Sequence, residues 1–520
     1  MRRIRQAGMA VLLLVAVLAM PGRAHAQDLV VAFSGFPNES LDPMLGGQNV
    51  KFYLSVMFDY LVGATPDGKI SADGGIAQRW EVSSDHKRWT FHLRKGVRFH
   101  NGDELTSADV KFSILRALGK RSTTGYAGPL RVLIQEILTP APDVMTIVTK
   151  EPTLIVPTYL SRVLSTEGAV LPKKYLESIG DDRFARAPIG SGAYRFVEQM
   201  MGSHIKFEAV DSHWRLGKPR YRTVTFKIVP EESTRIGMLR RGDVDVIDVS
   251  RDRMKEVERL GFPIYVRRDD AHLDVWWAPP WEPTPMKDKR VREALNLGVD
   301  RKEMAATIFA GLAEPAAVPF GLSWSFGEVG FKLTPEVQYP YDPERAKRLL
   351  AEAGYASGFP LDIYAYPLPG LPEARVMAEA LAGYWEKIGV KARVVPADWP
   401  AYKKKWYDLT FPGTVGYWNM ANRDWIGTLA AIEKMTSLTG KGTIARDEEL
   451  GALVAKVLRQ THPDEVAALM RNIFMRMRTE HLGLPLVYLH TPYATSKKIT
   501  KWNPGSVMYD VNIEALLTSR

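Results

Sequence analysis

From Thr146 to Arg268 short strand-like runs, such as Thr223 to Val229 and Val244 to Val249, alternate with helical stretches such as Ser233 to Arg240. That alternation restricts the chain to a mixed α/β architecture, because interleaved strands and helices must pack as layers around shared sheets. The chain has 520 residues, and at roughly 150 residues per domain this calls for about three domains or one large composite fold. No Cys occurs anywhere in it, so neither disulfides nor thiolate metal sites assist the fold. Stability has to come from apolar cores, and 46% hydrophobic against 25% charged residues supplies them.

The first residues indicate the compartment. Arg2, Arg3 and Arg5 precede an unbroken apolar run, Met9 to Met20, and Ala24-His25-Ala26 places small residues where a signal peptidase reads them. Residues 1–26 are therefore expected to be a signal peptide, cleaved before Gln27. As a helix the run rises only about 18 Å, short of a hydrocarbon core of about 30 Å, so no permanent anchor is expected. Without Cys there is no lipid acceptor either, and the expected location is the periplasm. The formal net charge is +10. Without the four leader arginines, Arg2, Arg3, Arg5 and Arg23, it falls to +6 and is spread without a Lys/Arg block. That pattern lacks the dense basic stripe of a nucleic-acid binder, and no nucleic-acid partner is expected.

Local patterns place several elements. Leu29 to Phe33 reads as a buried first strand entering a loop at Gly35 and Pro37, and Asn49 to Leu61 reads as a helix. Trp89, Phe91 and Leu93 alternate with Thr90, His92 and Arg94, a strand with one apolar face that Gly96 ends. Thr106 is expected to cap a helix, with Asp109 reaching back from its third position. Asp288 to Phe309, Pro343 to Ala353 and Glu373 to Ile388 have helical spacing, and Asp447 to Leu458 and Asp464 to Met477 form a late helix pair.

The sequence lacks GxxxxGK[ST], HExxH, GxSxG and complete GxGxxG motifs, which argues against nucleotide, zinc-protease and serine-hydrolase chemistry. Gly190-Ser191-Gly192 and Gly440-Lys441-Gly442 read as turns. The ten His residues include no i,i+4 pair, so His100 and His204 read as structural residues; no metal or cofactor is expected. An exported hydrolase using dispersed carboxylates is the remaining enzymatic reading, since separations of roughly 5 to 10 Å leave no sequence signal.

A series of segments runs through the chain in a fixed order. Ser40-Leu41-Asp42-Pro43 comes first. Ala77-Gln78-Arg79-Trp80 and Ser83-Ser84-Asp85 follow, then Thr90-Phe91-His92-Leu93-Arg94-Lys95-Gly96-Val97-Arg98-Phe99-His100-Asn101-Gly102 with Thr106 and Ala108-Asp109-Val110. Next are Pro188-Ile189-Gly190-Ser191-Gly192-Ala193-Tyr194 and Leu239-Arg240-Arg241-Gly242-Asp243-Val244-Asp245. Asp288-Lys289-Arg290-Val291-Arg292-Glu293-Ala294-Leu295 with Asp300-Arg301 comes later, and the stretch Tyr341-Asp342-Pro343 to Tyr355 last. This ordered set resembles the family 5 extracellular solute-binding proteins of ABC importers, the dipeptide- and oligopeptide-binding proteins and their relatives. Most of these residues have a structural reading: Trp80, Phe91, Leu93 and Phe99 as a buried sheet face, Gly96 and Asn101-Gly102 as turns, Asp342-Pro343 as a helix start.

The resemblance implies an α/β, two-lobed periplasmic binding fold with an additional inserted domain and a ligand cleft between the lobes. It places lobe I at 27–70, 187–271 and 489–520, the inserted domain at 71–186 and lobe II at 272–488, with hinge crossings near Ala271 and Leu489. It further implies a non-catalytic receptor that captures a peptide or related small organic solute and delivers it to a membrane permease with its ATPase. One cleft per chain suffices, so a monomer is expected.

Regions that line the cleft in the family match Trp276, Trp277 and Trp281, and later Trp399, Trp406, Trp418 and Trp425. Trp399 follows Asp398 where the family often has an acidic residue before Trp, and Tyr417-Trp418 stands where it has Gly-Trp. The resemblance thus nominates Trp418, Tyr417, Asn419, Trp399 and Trp276 as ligand-binding residues, with Phe36 and Asn38 from the loop after the first strand and Tyr488 near the second crossing. Trp277 and Trp425 read as core. One position departs from the pattern. In peptide-binding members the Gly-Trp is followed by two residues and then an Asp that pairs with the ligand's ammonium, and here that position is Ala421. Burying an ammonium without a counter-charge costs several kcal/mol. Either Asp424 takes over that role, or Arg423 pairs with a carboxylate and the solute is an opine, an aromatic acid or another non-peptide such as an oligosaccharide or nickel chelate.

Overall fold

The computed structural model describes residues 28–36, 38–47, 50–164, 166–278, 283–319, 337–366, 371–397, 414–421, 445–505 and 510–518, with single positions between 402 and 432. Side chains at 269–270, 278, 414, 417–421 and 463 fall outside this description, as does the leader expected at 1–26.

Three sheets organise the described residues. Strand β1 (Leu29–Phe33) comes first, then a small hairpin of β2 (Gly63–Ala64) and β3 (Ile70–Ser71). Next, β4 (Ala77–Val82), β5 (Arg88–Leu93), β6 (Ile134–Ala141) and β7 (Val144–Thr149) form an antiparallel sheet in the order β4-β5-β7-β6. The remaining strands are β8 (Tyr194–Met200), β9 (His204–Ala209), β10 (Thr223–Ile228), β11 (Val246–Asp248), β12 (Ile264–Ala278), β13 (Ala313–Pro315), β14 (Pro360–Ala365), β15 (Lys391–Pro396), β16 (Thr414–Ala421) and β17 (Leu484–Thr495). They join β1 in one 11-stranded sheet ordered β15-β14-β16-β12-β17-β11-β1-β10-β9-β8, with β13 beside β17.

Two long strands hold that sheet together. β12 has 15 residues and β17 has 12, against a usual five or six. Early in β12, Ile264 faces Ala494, which continues to Ile247 of β11. Late in β12, Ala271 faces both Leu489 and Ala421, the last residue of β16. Between these stretches the β12–β17 register shifts, from Arg267 to Ala271. A shift of this kind leaves local ladder bonds unmade and bends the strand.

Three large cores flank this spine. One gathers Leu273, Val275, Ile363 and Val415 with the helices Lys289–Leu297, Ala374–Lys387 and Pro463–Thr479. The second packs β1, β10 and β9 through Leu29, Val31, Phe226 and Phe207. The third closes the four-stranded sheet, through Phe91, Leu93 and Ile147, against Ile114 of the helix Ser107–Ala117. β1 is apolar throughout because parallel neighbours, β10 and β11, lie on both sides of it and helices cover the sheet.

Local chemistry explains the element ends. The backbone N–H of Thr106 donates to Asp109 at 2.9 Å, the expected reach-back of a capping box. Asp342 accepts from the N–H of Arg345 at 2.9 Å ahead of Pro343 at the first helical position. Gly96 takes the positive φ of +76° that its turn requires. Two expected helices differ. Asn49 to Leu61 is helical only over Lys51–Leu54, because the chain must then extend so that Tyr60 bridges Ala169 and Val62 bridges Ser161. Asp288 to Phe309 is two helices, Lys289–Leu297 and Arg301–Thr307, since Asp300 caps a new start by accepting from the N–H groups of Lys302 and Glu303, both at 3.0 Å.

Candidate functional site

The register of the large sheet defines a gap. β1, β10 and β11 are parallel, so their carboxyl ends lie together, close to the level of Tyr265 on β12. β14, β15 and β16 are also mutually parallel but run the opposite way, and β16 ends at Ala421, level with Ala271. Two groups of strands therefore point their carboxyl ends at each other, and β12 and β17 cross the space between. In open α/β sheets, loops at the carboxyl ends of strands are where ligands are held.

On the first side, the loop after β1 is tied to β11. Ser34 donates to the Asp248 carboxylate through its N–H at 3.3 Å and its hydroxyl at 2.8 Å, and Arg235 pairs with the same side chain at 2.8 Å. Burial pushes the Asp248 carboxyl up, partly offset by Arg235 and the Ser34 hydrogen bonds. Phe36 is half-buried, with its ring 5.4 Å from Tyr53 and 6.3 Å from Phe33. Asn38 spends its side-chain oxygen on the N–H of Ser40 at 2.8 Å, an Asx turn, and its carbonyl accepts from the Tyr53 hydroxyl at 3.0 Å.

On the second side, the β12–β16 register places position 418 opposite Asp274, 417 opposite Val275 and 419 opposite Leu273. The side chains of Trp418, Tyr417 and Asn419 lie outside the described residues; on β12, His272, Asp274 and Trp276 share one face and Leu273 and Val275 the other. His272 and Asp274 approach to 3.3 Å, both buried. Tyr488 is buried opposite His272. Trp276 is fully buried in the core rather than at a surface, against Gly483, where even a methyl group would come within 2.7 Å of its ring. Trp277 is core as well, and its indole N–H donates to the His481 carbonyl at 2.9 Å. Trp399, Arg423 and Asp424, together with Trp281, Trp406 and Trp425, lie outside the described residues.

One polar contact crosses the gap, and local sequence patterns did not signal it. Arg251, just beyond β11, reaches Glu373, which follows β14 and precedes the helix Ala374–Lys387. One guanidinium nitrogen lies 3.1 Å from each carboxylate oxygen. The residues are 122 positions apart, so no spacing rule could have joined them. A separate pocket of about 340 Å³ opens between the β2–β3 hairpin and residues 510–514. Its Arg162, Arg215, Asp510 and Glu514 pair with one another, and none of the candidate residues is among its described lining. Among the described residues no group of three His, Asp or Glu side chains is placed to hold a metal.

The profile of the bacterial extracellular solute-binding proteins, family 5 (middle region), matches residues 72–434, well over half of the sequence. The chain belongs to this family. Its members are the solute-binding components of ABC importers, not enzymes. Among curated relatives, the dipeptide-binding protein of Escherichia coli K12 is 27% identical over 444 residues, covering 78% of each chain. Heme-binding protein A of Haemophilus influenzae is also 27% identical, over 81% of this chain and 80% of the relative. The structure of NikA from Brucella suis in complex with Fe(III)-EDTA superposes with a TM-score of 0.81 at 23% identity, over 93% of this chain and 99% of the other. The fold is the two-lobed, mixed α/β fold of the family's periplasmic binding proteins.

Within this family the signature segments gain a physical account. Segments of Phe99-His100-Asn101-Gly102 and Gly190-Ser191-Gly192 meet, where the Gly190 N–H donates to His100 Nδ1 at 3.2 Å and His100 Nε2 donates to the Gly192 carbonyl at 2.9 Å. Arg292 caps carbonyls of Met286, Lys287 and Glu480, and Arg301 those of Pro485 and Asn296. These residues hold segments together rather than face the gap.

Proposed function

We propose that this protein captures a peptide or related small organic solute in the gap between two lobes and hands it to the permease and ATPase of an ABC importer. Lobe I comprises 27–70, 187–271 and 489–520, the inserted domain 71–186 and lobe II 272–488, and the hinge lies where β12 and β17 cross, near Ala271 and Leu489. The observation that carries this reading is the register: two sets of parallel strands end facing one another, and among the described residues β12 and β17 are the strands that run between them. A solute touching both sides favours closure by the difference in its contacts with the open and closed forms. A micromolar dissociation constant corresponds to about −8 kcal/mol, within reach of an aromatic-lined cleft. Export through the leader, a periplasmic location without a lipid anchor and a monomeric state complete the proposal. Trp418, Trp399, Arg423, Asp424, Phe36 and Tyr488 are the first candidates for contact, with Tyr417, Asn419, Trp276 and Asn38 behind them.

The solute class is open on one observation. Curated relatives of equal identity are named for a dipeptide and for haem, so kinship at this level does not select the ligand. Ala421 removes the carboxylate that would meet a peptide's ammonium, which supports a second reading: the same receptor role for a non-peptide acid such as an opine. A thermal-shift screen of the purified protein tests both, using di- to pentapeptides, their N-acetylated forms, opines, aromatic carboxylates, oligosaccharides and nickel chelates. At 100 times the dissociation constant a true ligand adds about 2.7 kcal/mol, a rise of a few degrees in Tm. Stabilisation by free but not acetylated peptides supports the first reading, and stabilisation confined to a non-peptide class supports the second. Turnover of any of these compounds by the purified protein would contradict both.

A further inference from the structure

Arg251 is a buried guanidinium held on several sides. Its side chain is only 3% exposed. The Nε–H donates to the His490 carbonyl at 2.9 Å, on the segment of β17 that crosses the gap, and the guanidinium lies 5.9 Å over the ring of Phe309. These contacts fix its plane and leave one terminal nitrogen, Nη1, to both oxygens of Glu373. A guanidinium held this way is preorganised for a carboxylate, because little side-chain freedom is lost when the acid arrives.

The two partners belong to opposite sides of the gap. Arg251 follows the carboxyl end of β11, which lies beside β1 and Ser34. Glu373 follows the carboxyl end of β14, on the β16 side. No strand pairing joins β11 to β14; the ion pair spans the gap that β12 and β17 cross. Taking two charges out of water is costly unless they meet each other or an equivalent partner. A solute that enters between them must replace what it displaces, and a carboxylate replaces Glu373 on Arg251 atom for atom.

We infer that Arg251 is a carboxylate-binding, specificity-determining residue of the cleft, and that Glu373 reaches over from the opposite lobe to occupy it when no solute is bound. This rests on the two-lobed receptor reading above, and it names the solute class as one bearing a carboxylate. The inference has a competitive consequence: removing the Glu373 charge frees Arg251 for an incoming acid, while removing Arg251 abolishes the preference for acids.

The test uses full-length wild type, Glu373→Gln and Arg251→Gln, with two matched probe pairs: Ala-Phe and its C-terminal amide, and indole-3-acetate and indole-3-acetamide. Dissociation constants come from calorimetry. The expected result is an acid-over-amide preference of about tenfold or more in Glu373→Gln for at least one pair, larger than in wild type and absent in Arg251→Gln. A preference that persists in Arg251→Gln, or none in Glu373→Gln, overturns the inference. Should wild type still gain stability with another solute of the screen in that case, the receptor reading stands and only the role of Arg251 is lost. Melting curves of the unliganded variants separate a purely structural pair, which lowers Tm in both variants without altering acid-over-amide discrimination.

Discussion

At the residue scale, the family signature is a set of junctions. A methyl group on Gly190 would stand 2.1 Å from the Met57 carbonyl, and one on Gly192 would stand 2.6 Å from Met57 backbone. Ser191, between them, donates to Asp59 at 2.9 Å, and Trp214 donates to the same carboxylate at 2.9 Å. Burial pushes the Asp59 carboxyl up, but His213, the Trp214 N–H and Arg215 outweigh it and hold the group below its ordinary value. Gly190→Ala is expected to lower stability by about 1 to 3 kcal/mol through overpacking, read as a drop in the urea midpoint. Glu514 gives a pH prediction. Burial opposes its charge, yet Arg162 and Arg215 hold its carboxyl well below the ordinary 4.5. A depressed carboxyl contributes stability that is full above its unfolded pKa and is lost as pH falls through the folded one. Glu514→Gln should therefore be less stable than wild type at neutral pH, and the difference should shrink on acidification below about pH 4.5. Stability curves at several pH values check this, and an unchanged difference would contradict it. These roles were partly legible in sequence: Gly-Ser-Gly reads as a backbone constraint, but its partner Met57, more than 130 positions away, does not.

At the element scale, capping chemistry was the most readable feature. Asp342 before Pro343 and Thr106 with Asp109 act where their spacing placed them. Asp300 is hidden as a start, because the apolar spacing of Asp288 to Phe309 runs through the break. Its two backbone acceptances make it a full N-cap, and Asp300→Ala is expected to cost about 1 kcal/mol, measurable as a shift in the urea midpoint with unchanged slope. The helix expected over Asn49 to Leu61 failed for the opposite reason: tertiary pairing of Tyr60 and Val62 overrides helical spacing. β12 escaped local reading too. Its stretch from Ala271 to Trp277 is buried on both faces, so Leu273, Val275, Trp276 and Trp277 give no alternation to detect.

At the scale of the whole molecule, the order of signature segments carried the family and the fold, because each segment marks a junction at a fixed place in one topology. The candidate ligand contacts were legible only through resemblance, and the Arg251–Glu373 contact was not legible at all, since it is created by bringing distant loops to one gap. The central claim is that this gap closes on a solute about the β12 and β17 crossings. The chain has no Cys, so two introduced cysteines can be spin-labelled without background. Lys255→Cys and Lys391→Cys place one label on each side, at exposed positions. The measurement is the distance distribution between these labels with and without a solute that stabilises the protein in the thermal screen. The account predicts a broad distribution that narrows and shifts when the solute is added, and shifts back when it is dialysed away. A distribution that stays the same while calorimetry shows the site filled would contradict it.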